Sequence, residues 1–217
     1  MKKESQRNLL LAMCLFAAFV VWTLVIRYID VQAIGPQGSN VGFAAINRFV
    51  HNLTGVHMDL YTVTDWLSVV PLMFVIGFGI LGLVQWIKRK HLVKVDYSIL
   101  VLGVFYIAVM AVYVLFETVV VNYRPVLING YLEASYPSST TMLVMCVMPT
   151  AIMQFNERIK NDVLKRWIRA VISAFTVFMV IGRLVSGVHW VTDIIGGALL
   201  SAGLVLLYRA LINLTSP

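Results

Sequence analysis

The chain has 217 residues, of which 60% are hydrophobic and only 12% are charged. Because a soluble domain usually carries about 25% charged residues, this composition excludes an ordinary globular domain and makes the bilayer the solvent for most side chains. The net charge of +7 does not indicate nucleic-acid binding, since the Lys and Arg residues stand in short runs between apolar segments, where they set topology and contact anionic lipid headgroups.

The apolar segments predict a bundle of six transmembrane helices, because a helix needs about 20 apolar residues to cross the hydrocarbon core. In chain order these segments run Leu9–Tyr28, Trp66–Ile87, Tyr97–Val121, Thr141–Phe155, Ile168–Val188 and Ile194–Leu214. The first is longer than the apolar core of a signal peptide, so we interpret it as a retained helix. We therefore predict an all-α integral membrane protein whose single membrane-embedded domain covers residues 1–217.

The longest predicted loop, Asp30–Asp65, follows the first helix. Between Val41 and Val50 its apolar residues recur at roughly helical spacing. This pattern predicts an interfacial helix that lies on the outer leaflet.

The distribution of basic residues predicts the orientation of the bundle. Most of the 17 Lys and Arg residues fall on the side that holds both termini, and only Arg27, Arg48, Arg124 and Arg183 fall on the other side. Cytoplasmic loops carry the excess of Lys and Arg. We therefore predict that both termini face the cytoplasm, and that the protein resides in a bacterial cytoplasmic membrane.

Polar residues gather at the predicted outward ends of the helices. They are Glu117 and Arg124 after the third helix, Pro137-Ser138-Ser139-Thr140 before the fourth, and Arg183, His189 and Asp193 between the fifth and sixth. Since all three stretches fall on the same side of the membrane, we expect them to form one site.

His189 and Asp193 are four residues apart, so both project from one face of a helix that begins near His189. A carboxylate on one imidazole nitrogen fixes the tautomer and leaves the other nitrogen free, which suits a nucleophile or a general base. The alternative is a structural pair, in which Asp193 caps the helix beside an interfacial histidine.

Arg124 and Arg183 lie at membrane or interfacial depth, where an unpaired charge is costly. One interpretation is that they snorkel or form salt bridges to Glu117 and Asp193. The other is that they grip a phosphate through paired hydrogen bonds and neutralise its oxygens while the imidazole attacks.

The start of the fourth helix is a further place where an anion can bind, because backbone amides at a helix N-terminus point at the ligand. Ser138 and Ser139 both stand where a capping residue is expected. We favour simple capping for Ser139 and assign Ser138 to the phosphate.

These residues resemble the motifs of the type-2 phosphatidic acid phosphatases, also called lipid phosphate phosphatases. That family has a lysine seven residues before an Arg-Pro pair, a Pro-Ser-Gly-His motif, and Ser-Arg followed after five residues by His and after three more by Asp. This chain has Arg124-Pro125, Pro137-Ser138 and the complete third spacing Arg183, His189, Asp193. The order of the motifs and their places between helices also match the family's six-helix core.

The resemblance implies a phosphatase or phosphotransferase that acts on a lipid phosphate or diphosphate at the outer membrane face. His189 would be the nucleophile that forms a phosphohistidine, and Asp193 would orient it. Arg124, Arg183 and Ser138 would bind the substrate phosphate. Neither a metal nor another cofactor is implied, because the arginines supply the positive charge.

Three positions depart from the family pattern: Glu117 replaces the lysine, Thr140 replaces the second-motif histidine that protonates the leaving group, and Gly182 replaces the serine before Arg183. Loss of a general acid costs about 10²–10⁴-fold when the leaving group is a basic alkoxide. Phosphate released from a diphosphate is a far weaker base, so we expect a preference for lipid diphosphates.

Glu117 has two possible roles in this pattern. A buried carboxyl favours its neutral form, so a buried Glu117 would act as the substitute proton donor. The alternative is an ion pair with Arg124 or Arg183, which would make the pocket less attractive to anions.

Two further functions stay open from the sequence. A catalytically impaired relative would keep the bundle and bind a lipid or a protein partner. A small transporter would need a relay of charged groups, but the predicted helices hold no ionisable residue near mid-membrane except Glu117, which stands near a helix end. Membrane lipids are expected partners in each case, and the sequence does not indicate the oligomeric state.

Overall fold

The fold is described from a computed structural model that covers residues 2–215, and residues 1, 216 and 217 of the predicted domain lie outside this range. Within it the chain forms eight α-helices and no β-strand, with isolated bridges between a few loop residues. The helices are α1 Lys2–Tyr28, α2 Ala44–Thr54, α3 Met58–Leu67, α4 Val69–Arg89, α5 Tyr97–Thr118, α6 Ser139–Arg158, α7 Asp162–Val185 and α8 Val191–Thr215.

Five helical stretches in the described range are long and apolar enough to cross a membrane: α1, α3 taken together with α4, α5, α7 and α8. Large apolar side chains are exposed on their outer faces, for example Leu10, Ile76 and Ile107. A continuous apolar exterior of this kind belongs in lipid rather than water. The predicted class, an all-helical integral membrane protein, is confirmed.

Helix α6 differs from these five because its sequence is less apolar. It packs against α4, α5, α7 and α8, and its polar residues Thr140, Thr141, Thr150 and Gln154 are buried there. Because other helices rather than lipid surround α6, it does not need an apolar face on every side. It is longer than the predicted Thr141–Phe155 at both ends.

The first loop contains more helix than the sequence predicts. Helix α2 begins within the predicted amphipathic stretch and continues past it to Thr54. The side-chain amide of Asn47 fixes it by donating to the Thr192 hydroxyl of α8. Helix α3 was not predicted, because we placed Met58–Asp65 in the loop. It packs against α7 at Gly182, where a Cβ would lie only 2.8 Å from the Thr64 methyl carbon.

Close packing around α8 holds the segment that precedes α6. The ring of Tyr136 lies over Gly196, where a Cβ would come within 2.4 Å of the ring. The buried Tyr136 also stacks on Phe19 of α1, and its hydroxyl shares a 2.7 Å hydrogen bond with Thr23. This segment is thereby anchored to α1 and α8 just before the candidate site residues.

Candidate functional site

A polar cavity of about 610 Å³ lies where the ends of α3, α5, α6 and α7 meet the α5–α6 connection. Its lining includes Asp65, Glu117, Arg124, Glu133, Thr140 and Arg183. The two arginines also share a neighbour, because their guanidinium carbons lie 5.9 Å and 4.8 Å from the centre of the Tyr61 ring. The structure thus brings Arg124 and Arg183 to one hollow.

The side chain of Arg183 is held by several groups at once. Its Nη2 donates to Asp65 Oδ1 at 2.9 Å and to the Thr140 hydroxyl. Its Nη1 lies 3.4 Å from the Thr64 hydroxyl oxygen and 3.5 Å from the Tyr61 carbonyl oxygen. The Nε atom is buried and has no hydrogen-bond partner. The guanidinium is therefore fixed in place while one donor stays available.

Arg124 is held less firmly. Its Nε lies 3.1 Å from Glu133 Oε2, without the alignment of a hydrogen bond, and its Nη1 is also buried without a partner. Its backbone N–H donates to the Glu133 carbonyl at 3.0 Å. Both guanidinium groups therefore keep buried donors without partners, an arrangement that is costly unless another group supplies an acceptor.

The partners of the arginines differ from the salt bridges considered from the sequence. Arg183 pairs with Asp65 and Arg124 with Glu133, whereas Asp193 is engaged elsewhere. The sequence analysis placed Asp65 in a loop, so its contact with Arg183 was not predicted.

The connection between α7 and α8 carries His189 and Asp193. Helix α7 ends at Val185 rather than the predicted Val188, because Gly187 follows in a left-handed conformation with φ of 70°. A Cβ at Gly187 would lie 1.9 Å from the Gly55 carbonyl oxygen, so the connection packs directly on the turn before α3. This contact fixes the path of the chain just before His189.

Asp193 serves two structural roles in this connection. Its Oδ2 accepts a 2.9 Å hydrogen bond from the Trp190 backbone N–H at the start of α8, and it also accepts from the Ser135 hydroxyl. Its Oδ2 lies 3.8 Å from His189 Nδ1, which is too far for a direct hydrogen bond. The capping and the orienting interpretations of Asp193 are therefore compatible.

Ser135 connects the two residues. His189 Nδ1 lies 3.0 Å from the Ser135 hydroxyl oxygen and 3.2 Å from the Ser135 carbonyl oxygen. Because a carbonyl only accepts hydrogen bonds, Nδ1 carries the ring hydrogen of the neutral imidazole and Nε2 keeps a lone pair. Asp193 thus acts on the histidine through the Ser135 hydroxyl, and not through the direct contact expected from the sequence.

His189 Nε2 is buried and has no hydrogen-bond partner. The histidine lines a small cavity beside the polar one, and Glu117 and Ser139 line both. Burial lowers the pKa of His189 to about 4, an effect that Asp193 opposes and that Arg124 and Arg183 reinforce. At neutral pH the imidazole is therefore uncharged, as a nucleophile requires.

The start of α6 is capped by Ser138 and not by Ser139, for which we had favoured capping. Ser138 is the capping residue, because its buried Oγ accepts from Thr141 N and its own backbone N–H donates to the Asp193 carbonyl. The Ser138 side chain does not line the polar cavity, whereas Ser139 and Thr140 do. Thr140, at the position of the family histidine, accepts a hydrogen bond from Arg183.

Glu117 stands at the end of α5 on the wall of both cavities. Its side chain is exposed rather than buried, unlike the buried carboxyl that the role of substitute proton donor assumed. Among the ion pairs of residues 2–215, Arg124 and Arg183 pair with other carboxylates. Within the same range no three His, Cys, Asp or Glu side chains are grouped so as to hold a metal ion.

The sequence analysis missed the residues that support the site: Tyr61, Thr64, Asp65, Glu133 and Ser135. Ser135 stands next to the recognised Tyr136-Pro137-Ser138 stretch, so its position offered a signal. The signal for Asp65 and Tyr61 was weaker. It lies in the spacing of Tyr61, Thr64 and Asp65, which follows the i, i+3 and i+4 pattern of one helix face.

Comparisons with known proteins agree with the fold and identify the family. A sequence profile of the PAP2 superfamily, the group of the type-2 phosphatidic acid phosphatases, matches residues 102–215. The structure is similar to a crystal structure described as the first transmembrane PAP2 type phosphatidylglycerolphosphate phosphatase from Bacillus subtilis, with a TM-score of 0.63 and 18% identity over 94% of this chain and 97% of that one. At this identity the likeness shows the fold. No curated protein sequence matches the chain.

Proposed function

Because this chain belongs to the PAP2 superfamily, we propose that it is a membrane lipid phosphatase that uses His189 as its nucleophile. The observation that carries the proposal is the free Nε2 lone pair of a neutral, buried imidazole beside a hollow with two arginines. The expected substrate is a lipid phosphate, and preferentially a lipid diphosphate, and the chemistry fits a phosphatase or a phosphotransferase.

In the first step His189 Nε2 attacks the phosphorus atom of the terminal phosphate. A nitrogen–phosphorus bond forms, the bond between phosphorus and the bridging oxygen breaks, and the leaving group departs with the electron pair. Arg183 Nε and Arg124 Nη1 are free to donate to the phosphoryl oxygens, where charge accumulates in the transition state. Backbone amides at the start of α6 add to the positive potential around the phosphoryl oxygens.

In the second step water replaces the imidazole on phosphorus and inorganic phosphate leaves; an alcohol in place of water gives transfer. Asp193 and Ser135 keep the hydrogen on Nδ1 through both steps. The carboxylate also stabilises the positive charge that the imidazole carries while phosphorus is bound.

The diphosphate preference rests on Thr140. A threonine hydroxyl bonded to Arg183 is a poor substitute for a histidine that donates a proton to an alkoxide. A departing phosphate needs less protonation, so only monophosphate substrates suffer fully from the missing acid. Glu117 is exposed, and its role as a substitute acid is the weaker route.

The membrane topology is part of the proposal. Helix α6 has 20 residues, about 30 Å of rise, and it runs inside the bundle, so we count it as a sixth span within one membrane-embedded domain. The basic residues then place both termini in the cytoplasm and the site at the outer face of a bacterial cytoplasmic membrane. Substrate would reach it from the outer leaflet.

A second candidate is favoured by the carboxylates of the cavity. Asp65, Glu117 and Glu133 line it together with only two arginines, and two of the carboxylates already pair with those arginines. A catalytically impaired relative that binds lipid or a protein partner would show this balance. The phosphatase remains the better proposal, because Asp65 and Glu133 are partly exposed and free to yield to phosphate.

The test is phosphate release by the purified protein from a polyprenyl diphosphate and from a phosphatidic acid. We expect turnover of the diphosphate to exceed that of the monophosphate by about 10²-fold or more, and to be lost in His189→Ala. Equal rates on both substrates would contradict the diphosphate preference. No release from either would favour the impaired relative.

A further inference from the structure

The aromatic ring of Tyr61 lies beside both guanidinium groups of the candidate site. Its centre is 4.8 Å from the guanidinium carbon of Arg183 and 5.9 Å from that of Arg124. A cation within about 6 Å of the centre of an aromatic ring is attracted by the negative face of the ring. Because the two arginines carry the same charge and repel each other, a ring that attracts both of them offsets part of this repulsion.

The two arginines depend on this ring to different degrees. Arg183 has further partners, since its guanidinium donates to Asp65 and lies 3.5 Å from the Tyr61 carbonyl oxygen. Arg124 pairs with Glu133, which belongs to the same α5–α6 connection and therefore does not fix the guanidinium relative to the helices. The Tyr61 ring provides such a contact, because it belongs to α3.

Helix α3 is itself fixed on α7. Its start is held by a 3.0 Å hydrogen bond from the His57 backbone N–H to the Ser186 carbonyl. At Gly182 a Cβ would lie 2.8 Å from the methyl carbon of Thr64, a β-branched side chain that has little freedom to move away. The absence of a side chain at position 182 therefore lets α3 approach α7 closely enough to bring its tyrosine to the site.

The Tyr61 side chain does not line the polar cavity, whereas both arginines do. We propose that Tyr61 is a positioning residue that holds Arg124 and Arg183 at the spacing that one phosphate group needs, and that Arg124 depends on it most. The inference rests on the proposed function, because it assigns both arginines to the substrate phosphate.

The first test compares Tyr61→Leu with Tyr61→Phe and with a matched control, Tyr131→Leu. Phenylalanine keeps the aromatic face and leucine removes it, while Tyr131 is an exposed tyrosine that does not line the polar cavity. The readout is binding of orthovanadate, an analogue of phosphate, to the purified protein in micelles. We expect the dissociation constant to rise by about tenfold in Tyr61→Leu and to stay near the wild-type value in the other two variants.

The second test combines Tyr61→Leu with Arg124→Gln. If the ring acts by holding Arg124, its loss should weaken orthovanadate binding by only about twofold or less once Arg124 is gone. An equal loss with and without Arg124 would show that Tyr61 acts on another group, and would overturn the proposal.

A third measurement decides the matter if Tyr61→Leu does not fold. A phenylalanine with one, two or three fluorine atoms in place of Tyr61 loses negative charge from its face stepwise, while its shape stays nearly the same. Orthovanadate binding should weaken with each added fluorine. An affinity that does not depend on the number of fluorine atoms would overturn the proposal.

Turnover separates this inference from the proposed function. Phosphate release from a lipid diphosphate by the wild type, with equal orthovanadate binding in the wild type and in folded Tyr61→Leu, would overturn the positioning role and leave the phosphatase in place. Orthovanadate binding that depends on Tyr61, without release from any lipid phosphate, would support the positioning role and overturn only the phosphatase. A wild type that neither binds orthovanadate nor releases phosphate would overturn both.

Discussion

The bundle carries an arginine–aspartate cluster at each end, and the two clusters differ in what their arginines leave free. At the end that we assign to the cytoplasm, Asp96 lies 2.8 Å from Arg89 and 3.4 Å from Arg158, and these arginine side chains are 43% and 26% exposed. At the other end Arg183 lies 2.9 Å from Asp65, but its side chain is only 3% exposed and keeps a buried nitrogen without a partner.

The inner cluster connects the ends of neighbouring helices. Asp96 and Gln85 bond each other twice, and Arg158 reaches the same carboxylate from α6. Burial raises the pKa of Asp96, but hydrogen bonds and charges from Arg89, Gln85 and Arg158 outweigh it and leave the pKa below its ordinary value. In the outer cluster the Arg183 side chain is buried yet incompletely paired, and in our proposal its unused donor serves the substrate phosphate.

The largest expected difference between the clusters is in activity. Arg183→Lys removes the planar guanidinium, and with it the Nε donor that we assign to the phosphate, so kcat/KM should fall by about 10³-fold. Arg158→Lys makes the same change in the inner cluster and should leave kcat/KM near the wild-type value. Similar losses in both variants would contradict our assignment of ligand binding to the outer cluster and of helix packing to the inner cluster.

Ser135→Ala should have the next largest effect. It removes the hydroxyl between His189 and Asp193 while leaving the Ser135 carbonyl on Nδ1, so we expect kcat to fall by about 10- to 100-fold. KM should change little, because Ser135 does not line the polar cavity. Ser98→Ala, which removes a hydroxyl bonded to Glu157 at the inner end, is the control. A rise in KM without loss of kcat would argue against a role in orienting the imidazole.

The pH profile tests the charges around His189. The neutral imidazole is the active form and its pKa is lowered to about 4, so kcat/KM should stay level from neutral pH downward and fall only as pH approaches that value. Arg124 helps to lower this pKa, so Arg124→Gln should move the acid limb toward higher pH, in addition to slowing the reaction. Arg48→Gln, an exposed outer arginine, should leave the limb in place. A limb near pH 6.5 in the wild type would contradict a buried neutral nucleophile.

The smallest effect is expected at the inner cluster itself. Asp96→Asn weakens partly exposed ion pairs with Arg89 and Arg158, so the free energy of unfolding in mixed micelles should fall by less than about 1 kcal/mol. Because the native pKa of Asp96 is below its ordinary value, its contribution is present at neutral pH and is lost as pH falls through the native pKa. Unfolding measured at neutral and acidic pH checks this. If Asp96→Asn lost phosphatase activity while its stability stayed unchanged, the inner cluster would not be purely structural, and the contrast with the outer cluster would be wrong.

Much of the fold was predictable because hydrophobic length is a strong signal for helices that face lipid. The stretches of α1, α4, α5, α7 and α8 were recognised this way. The extent of α6 was not, since its ends are set by Ser138 capping and by contacts of Gln154 and Arg158 with neighbouring helices. Helix α3 was missed because its ten residues are too few to signal a span on their own, and its position depends on packing against α7.

The candidate site was predictable where the spacing of its residues in the sequence forms a motif. Arg183, His189 and Asp193 were found from one motif, and Arg124 from its proline neighbour. The contacts of Asp65 with Arg183 and of Ser135 with His189 join segments that are distant in the chain, whereas Glu133 lies in the same connection as its partner Arg124. The capping residue of α6 was also placed one residue too late, at Ser139 instead of Ser138, because local sequence does not fix the start of a helix to one residue.

The most direct test of the central claim is to trap the phosphorylated enzyme. Wild-type protein mixed with a lipid diphosphate labelled in its terminal phosphate and quenched in alkali should carry label on His189, stable to base and lost in acid. His189→Ala should carry none and release no phosphate. Steady phosphate release without any acid-labile label, or release by His189→Ala at the wild-type rate, would contradict nucleophilic attack by this imidazole.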